Sequence, residues 1–374
     1  MAIMHPKWLL KELDKLRRAF LWAASDKVSG GKCLVNWASV CLPKPLGGLG
    51  IPNLQLQSIS LRVRWLWQQS TDPSKPWAGL KLPSDPLVLA LYRASTIIEI
   101  HNGSSTSFWK SHWLDGQPLS LRFPLLYKHS INKATSVRDA LTDRGWVANI
   151  KRNPSRATLT EYLQLWALLE SAAPTLLDDE EDKVIWRLTS SGKYTASSAY
   201  HALLYGHIPS QALHQVWNSK AIPKCHMHAW LLLRERCLTA DNLAKRGWPH
   251  DPICKLCFIH PKTVVHLAAT CSYTTQVWSE VLQKVSLPAV LGPTTSTLNL
   301  QDWWLACSKL APPNIVDRWR SVALLSWWML WKERNNRIFN NKASPPAVLA
   351  EKIVTEISLW RIAGVLGSSW PESE

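Results

Sequence analysis

The chain has 374 residues, of which 46% are hydrophobic and 19% are charged. This composition is typical of a globular protein with two or three domains, and it excludes a largely disordered chain. Lys and Arg outnumber Asp and Glu by 43 to 27, which gives a formal net charge of +16. A charge balance this basic indicates a protein that binds a polyanion, most commonly nucleic acid. The alternative interpretation is a basic protein that has no such partner.

The N-terminal region and the cysteines indicate in which cellular compartment the protein is found. The first 22 residues mix charged and apolar side chains, so they lack the uninterrupted apolar core of a signal peptide. The longest apolar stretch, residues 321–331, is too short to span a bilayer. We therefore predict an intracellular protein, of the nucleus or the cytoplasm, with no membrane partner. Its eight cysteines would be reduced there, and clustered Cys and His then indicate a bound metal.

Taken in chain order, segments with helical periodicity alternate with turn signals. Asn102-Gly103 predicts a hairpin that pairs 98–101 with 107–109, and the turn at 190–192 predicts a second hairpin toward Tyr194. The predicted fold class is therefore mainly α with small β-hairpins. Apolar spacing predicts helices over residues 8–22, 54–69, 158–171, 196–205, 226–236, 239–246, 315–340 and 346–362.

The strongest local signal is a group of three cysteines and one histidine. Cys254 and Cys257 form a Cys-x-x-Cys pair, His266 follows after eight residues, and Cys271 follows after four more. Thiolates and imidazole are the ligands of tetrahedral Zn²⁺, and His-x4-Cys adds two ligands from about one helical turn. We predict a structural Zn²⁺ whose four coordination positions are all filled by these side chains. Buried free thiols are the alternative reading, and His260 is a second candidate imidazole.

Short motifs surround this group in a fixed order. They are 20–22, 35–37, 41–44, 47–51, 102–103, 108–109, 113–114, 192–200, 216–217, 222–224, 238–243, 246–247, 277–278 and 328–339. This series resembles the C-terminal part of the reverse transcriptases of plant LINE-type (non-LTR) retrotransposons, with their zinc-binding domain at 192–278. Lys262 stands where that family usually has an acidic residue, which leaves the four ligands intact and changes their surroundings.

The resemblance implies four regions, among them an α+β zinc-binding module flanked by helical segments. The regions are a post-palm, thumb- or connection-like remnant at 1–92, a hairpin and helical connection ending in an acidic linker at 93–182, the zinc-binding domain at 183–285 and a helical tail at 286–374.

The same resemblance implies that this chain carries no polymerase palm. Polymerases of this kind hold two metal ions on paired aspartates, and the sequence has one adjacent pair, Asp178-Asp179, within the acidic run 178–182. Runs of like charge are usually solvated, so we interpret this run as an exposed linker. A nucleophile elbow and a phosphate-binding Gly loop are absent as well. We therefore expect no catalytic residues, no enzymatic activity and a truncated element.

The predicted function is a zinc-containing, nucleic-acid-binding fragment of a retrotransposon reverse transcriptase. Lys and Arg would contact phosphates, and exposed aromatic rings would stack on bases. Tryptophans at positions that favour burial are Trp186, Trp217, Trp230 and Trp278, whereas Trp248 is expected to be exposed. The candidates for contact with RNA or DNA are Lys224, Arg234, Arg236, Lys245, Arg246, Trp248, Lys255 and Lys262.

The alternative function is a structural or protein-interaction module in which zinc only stabilises the fold. Such a module would bind no nucleic acid, and a protein partner would dock on the Trp-rich C-terminal helix. The apolar face of that helix includes Trp319, Trp328 and Trp331. Packing of this face within the chain is the simpler interpretation.

Overall fold

The computed structural model of the protein describes residues 6–72, 74–76, 78–80, 85–177, 179–290 and 299–366. Helices dominate these residues, which confirms the predicted fold class. The helices and strands are α1 (Lys7–Ala23), α2 (Trp37–Val40), α3 (Leu54–Thr71), α4 (Pro86–Ser95), β1 (Thr96–Glu99), α5 (Leu119–Arg122), α6 (Pro124–His129), α7 (Val137–Leu141), α8 (Gly145–Ala148), α9 (Arg156–Ala172), β2 (Lys183–Trp186), α10 (Ala196–Ala202), α11 (Gln211–Asn218), α12 (Pro223–Leu233), α13 (Ala240–Ala244), α14 (Ser272–Lys284), α15 (Leu300–Leu310), α16 (Val316–Phe339) and α17 (Pro346–Ile362).

Every helix predicted from apolar spacing is present. Several begin or end at other residues than predicted, because capping residues and not apolar spacing determine the helix ends. Helix α9 begins after Ser155, whose hydroxyl accepts a hydrogen bond from the backbone N–H of Thr158. Helix α12 begins earlier than predicted because Pro223 occupies its first position, where the missing N–H costs nothing. The chain leaves the α13 region at Gly247, which has a φ of +65°. The sequence did not predict the remaining helices, which are α2, α4 to α8, α11, α14 and α15.

The two strands pair with each other instead of each closing its own predicted hairpin. Strand β1 runs antiparallel to β2, with Thr96 opposite Trp186 and Glu99 opposite Lys183. The turn after β2 forms as predicted, since the backbone N–H of Trp186 donates to the carbonyl of Gly192 at 2.8 Å. A short strand buries few groups by itself, so partners distant in sequence compete with the local turn.

The carboxylate of Asp182 explains why the segment after β1 does not fold back as a hairpin. One carboxylate oxygen accepts the backbone N–H groups of His101 and Gly103 at 3.0 and 2.9 Å, and the other accepts the hydroxyls of Ser105 and Thr106. Donors that a returning strand would need are thus taken by a side chain. The exposed-linker interpretation is therefore wrong for Asp182, and Asp178 lies outside the described residues.

The chain divides into two compact units, Met1–Leu10 with Leu54–Gly206, and Lys11–Asn53 with His207–Glu374. Among its described residues, the first unit contains two separate hydrophobic clusters. One packs Phe108, Trp109 and Leu165 among α5 to α9, and the other packs Trp186 against residues of α3 and α4. The four regions implied by the resemblance stay a prediction.

The described residues of the second unit share one large hydrophobic core that is rich in tryptophan. Trp278, Trp304, Trp319 and Trp327 are fully buried in it, and the planes of Trp278 and Trp319 are stacked with ring centres 6.3 Å apart. Since the buried face of α16 supplies two of these rings, that face packs within the chain.

The burial predicted for individual tryptophans is largely confirmed. Trp186, Trp230 and Trp278 are fully buried, and Trp217 is half-buried with the ammonium of Lys44 over its ring. Among the described residues, none of the helices combines the length and the apolar character that crossing a bilayer would take.

Candidate metal centre

Residues 253–261 form a compact loop, here called the knuckle, that carries the first two cysteines. The knuckle is closed at its base by a bridge between Ile253 and Pro261 and by the N–H of Cys254, which donates to the carbonyl of His260 at 2.9 Å. Inside it, the N–H of Leu256 donates to the sulfur of Cys254 at 3.4 Å. Such N–H···S contacts stabilise negative charge on sulfur, so the backbone itself prepares a thiolate.

The other two ligands stand at the two ends of a single π-helical turn. His266 begins the segment His266–Thr270, and the N–H of Cys271 donates to the carbonyl of His266 at 2.8 Å, which closes an i to i+5 ring. Residues five apart lie on different faces of an α-helix, whereas a π turn returns them to one side. The predicted helical turn is therefore present, but in the wider form that the His-x4-Cys spacing needs.

The four side chains converge on one point. The ligand atoms of Cys254, Cys257, His266 and Cys271 all lie within 4.8 Å of one another. The sulfurs of Cys254 and Cys271 are 4.0 Å apart, and the sulfur of Cys257 is 3.4 Å from Nε2 of His266. A tetrahedral Zn²⁺ with ordinary bond lengths would separate two sulfurs by about 3.8 Å and a sulfur from a nitrogen by about 3.6 Å. The donor set and the spacing therefore both fit zinc.

The electrostatics of this group favour negative charge on sulfur. A hydrogen bond between Cys271 and Cys254 lowers the pKa of the Cys254 thiol to about 3 and raises the pKa of the Cys271 thiol. Burial raises the pKa of the Cys257 thiol, whereas hydrogen bonds from the backbone N–H groups of residues 259–260 lower it. The lowering effects together are larger, so the pKa of Cys257 is below its ordinary value. Burial lowers the pKa of His266, and the neighbouring thiolates raise it overall. A bound cation would replace the protons that these groups share.

Three other buried cysteines differ from this group. Burial raises the pKa of Cys41 to about 11 and that of Cys225 and Cys237 to about 12. They are neutral thiols of the hydrophobic core at ordinary pH. His260 is exposed and stands outside the convergent group, although its ring centre is 5.5 Å from that of His266.

The structure separates the candidate nucleic-acid contacts into exposed and engaged side chains. Arg234 donates to the carbonyl of Gly47 and lies over the ring of Trp230, and Lys255 pairs with Asp251. Lys262 is only 3% exposed, so it is unsuited to contact a phosphate. The exposed candidates are Lys224, Arg236, Lys245 and Trp248, and Arg246 is half-buried.

Trp248 and Arg246 form an aromatic–cationic pair. The indole of Trp248 is 38% exposed, and the Arg246 guanidinium carbon lies 5.4 Å from its ring centre. Arg246 also donates to the backbone carbonyl of Gly31, which fixes the guanidinium. The predicted exposure of Trp248 is thus confirmed, with one side of the ring occupied by a cation.

Sequence reasoning missed Arg337 of α16, which contacts the knuckle, and Glu333, which contacts Arg337. The Arg337 guanidinium donates to the backbone carbonyls of Lys255 and Leu256, both at 3.1 Å, and Glu333 holds the other edge of that guanidinium at 2.8 Å. The i, i+4 spacing of Glu333 and Arg337 was visible in the sequence. Nothing local indicated that their partner lies near residue 255.

Comparisons with known proteins agree with this centre. Residues 194–278 match a family model described as zinc-binding in reverse transcriptase. A putative ribonuclease H protein of Arabidopsis thaliana is 22% identical over 381 residues, covering 90% of this chain and 57% of the relative. The predicted resemblance to the zinc-binding region of a plant retrotransposon reverse transcriptase is confirmed. The chain therefore spans little more than half the length of that relative. The assignment of this chain to a LINE-type element stays a prediction.

Proposed function

We propose that this chain is a nucleic-acid-binding fragment of a retrotransposon reverse transcriptase whose binding unit is held in shape by one structural Zn²⁺. The observation that carries the proposal is the convergence of Cys254, Cys257, His266 and Cys271 within 4.8 Å. The ligands come from two separate segments, the knuckle and the π turn. One ion would therefore fasten together two pieces of backbone.

A structural role for the ion follows from the ligand count. Four protein side chains fill a tetrahedron, which leaves no position for a water or a substrate. Zinc held in this way contributes folding free energy of about 10–16 kcal/mol in small zinc peptides. The ion would act by ordering the backbone that carries the neighbouring basic side chains.

The proposed nucleic-acid surface consists of Lys224, Arg236, Lys245, Arg246 and Trp248. The exposed cations would neutralise phosphates irrespective of sequence, and the free side of the Trp248 indole would stack on a base. Lys262 and Arg234 are left out, because the first is buried and the second is bonded to Gly47. Binding of this kind tolerates many sequences and depends steeply on salt.

A salt titration of RNA and DNA binding tests the proposal. We expect the affinity of the wild-type chain to fall steeply between about 50 and 200 mM salt. Lys245→Gln should lower the slope of log K against log salt by about one unit, and Trp248→Ala should weaken binding by about 1–3 kcal/mol per stacked base. Lys309→Gln, which removes an exposed charge from α15, is the charge-matched control. A folded, zinc-loaded chain that binds neither RNA nor DNA at low salt would instead be the structural module.

We further propose that the chain catalyses no nucleotidyl transfer or nucleic-acid cleavage by itself. Two carboxylates of its acidic run are engaged structurally: Asp182 accepts four hydrogen bonds from residues 101–106, and Glu180 pairs with Lys183. Asp178 lies outside the described residues. Catalysis by two metal ions needs carboxylates free to bind them. Cleavage of an RNA–DNA hybrid or extension of a primer by the purified chain would contradict this part of the proposal.

A further inference from the structure

A single arginine of α16 is bonded to the backbone turn between the first two metal ligands. Arg337 donates from one nitrogen to the carbonyls of Lys255 and Leu256, both at 3.1 Å, and from another to the carbonyl of Ser344 at 2.9 Å. Its third nitrogen donates to Glu333 at 2.8 Å. Lys255 and Leu256 are the two residues between Cys254 and Cys257, so this guanidinium fixes the turn that sets the direction of both sulfurs.

Glu333 holds this guanidinium and belongs to the interior. Its side chain is 3% exposed, and the same carboxylate oxygen that binds Arg337 also accepts the N–H of Ser344 at 2.7 Å. A buried charge pair is retained only with good geometry and satisfied hydrogen bonds. Arginine meets these demands because its planar fork presents several donors in fixed directions, which a lysine ammonium cannot reproduce.

The same helix also contacts the segment that carries the second pair of ligands. The hydroxyl of Tyr273, two residues after Cys271, donates to the carbonyl of Ser344 at 2.8 Å, and the Arg337 guanidinium lies 4.4 Å from the Tyr273 ring centre. The indole of Trp327 in α16 donates to the carbonyl of Ala268, inside the π turn, at 3.2 Å. Both ligand-bearing segments are therefore bonded to one rigid element.

We propose that Arg337, oriented by Glu333, is a positioning residue of the metal centre, and that α16 is part of the metal-binding unit. This unit then extends well beyond residues 194–278, the region that matches the family model. The inference rests on the proposed zinc site and not on nucleic-acid binding. The physical reason is preorganisation: hydrogen bonds outside the ligand shell hold the ligands in the geometry that the ion requires.

The test compares zinc affinity in full-length variants by competition with a chromogenic chelator. We expect Arg337→Lys and Glu333→Gln each to weaken zinc binding by about 10–100-fold, the usual effect of losing such a supporting contact. Arg320→Ala is the matched control, because Arg320 lies on the same helix and its bonds run to Asp317 and Ser308. That variant should bind zinc within about twofold of wild type.

A spectroscopic readout separates positioning from general stability. Co²⁺ in the same site should give a tetrahedral thiolate spectrum in wild type and Arg320→Ala, and an altered spectrum in Arg337→Lys. If Arg337→Lys and Glu333→Gln bind zinc like wild type and give its Co²⁺ spectrum, the positioning role is overturned even if both variants are less stable. A wild-type chain that binds no metal overturns the proposed function itself, and the positioning role with it.

Discussion

Trp278 and Trp327 donate their indole N–H groups to the same acceptor, the carbonyl oxygen of Ala268, at 3.3 and 3.2 Å. Ala268 lies in the π turn between His266 and Cys271, and the two indoles come from α14 and α16. A π turn displaces its carbonyls from the α-helical pattern, so they need partners from outside the helix. These two tryptophans therefore tie the ligand-bearing turn to the core.

Replacing both tryptophans should cost more than the sum of the single replacements. Trp278→Phe or Trp327→Phe alone leaves one donor on the Ala268 carbonyl, whereas the double variant leaves this buried acceptor without an indole partner. We expect a coupling free energy of about 1 kcal/mol beyond additivity. Urea unfolding of the four proteins of the cycle measures it, and additive losses would show that the shared carbonyl is not what couples the rings.

Removal of the metal should unfold the second unit selectively. The knuckle and the π turn are joined to each other through the ligands, so chelation or Cys254→Ser should expose their amide groups to exchange. The clusters around Phe108 and Trp186 contain no metal ligand and should keep their protection. Hydrogen exchange with and without a chelator, beside elemental analysis of the purified chain, makes the measurement. Unchanged exchange at residues 253–271 in a metal-free chain would contradict the prediction.

Lys262 is expected to destabilise the fold at neutral pH. Burial lowers the pKa of its ammonium to about 8 from 10.5, with Arg334 acting in the same direction. Between these two values the unfolded chain binds more protons than the folded one, so the free energy of unfolding rises with pH there. Lys262→Met should therefore stabilise the protein by up to about 3 kcal/mol at pH 7.

The sign and the pH window make this prediction specific. The gain from Lys262→Met should shrink as pH rises from about 8 to about 10.5. Lys245→Met, at an exposed position of the same unit, is the control and should show no such dependence. Denaturant unfolding across this pH range measures both, and a gain that stays constant with pH would refute the titration argument.

Phe258 holds strain at the end of the Cys-x-x-Cys turn. Its φ is +58°, a left-handed conformation, and its side chain is 65% exposed, so little burial compensates. Phe258→Gly should stabilise the zinc-loaded protein by about 1 kcal/mol, because glycine adopts this conformation without steric cost. Ile259→Gly is the matched control, since Ile259 is 66% exposed without a positive φ. Thermal unfolding that ranks the two glycine variants equally would argue against stored strain.

The helices and the ligand set were within reach of the sequence because both depend on local chemistry. Apolar spacing placed the helix that became α16, and the types and spacing of four side chains placed the metal centre. The spacing before Cys271 ranks His266 above His260 as the imidazole ligand, and the fold of residues 253–271 determines which of the two rings lies among the cysteines. That fold brings His266 within 3.4 Å of the sulfur of Cys257.

Only the tertiary structure decided which distant groups meet. The pairing of β1 with β2, the capture of residues 101–106 by Asp182, the burial of Lys262 and the contact of Arg337 with the knuckle all join residues far apart in sequence. Such long-range contacts leave no periodic pattern in the sequence. Which of them form depends on how well each possible pairing packs and satisfies its hydrogen bonds in the folded chain. The residue types set the chemistry available to this chain, and the packing of α16 against the knuckle set the geometry in which that chemistry is held.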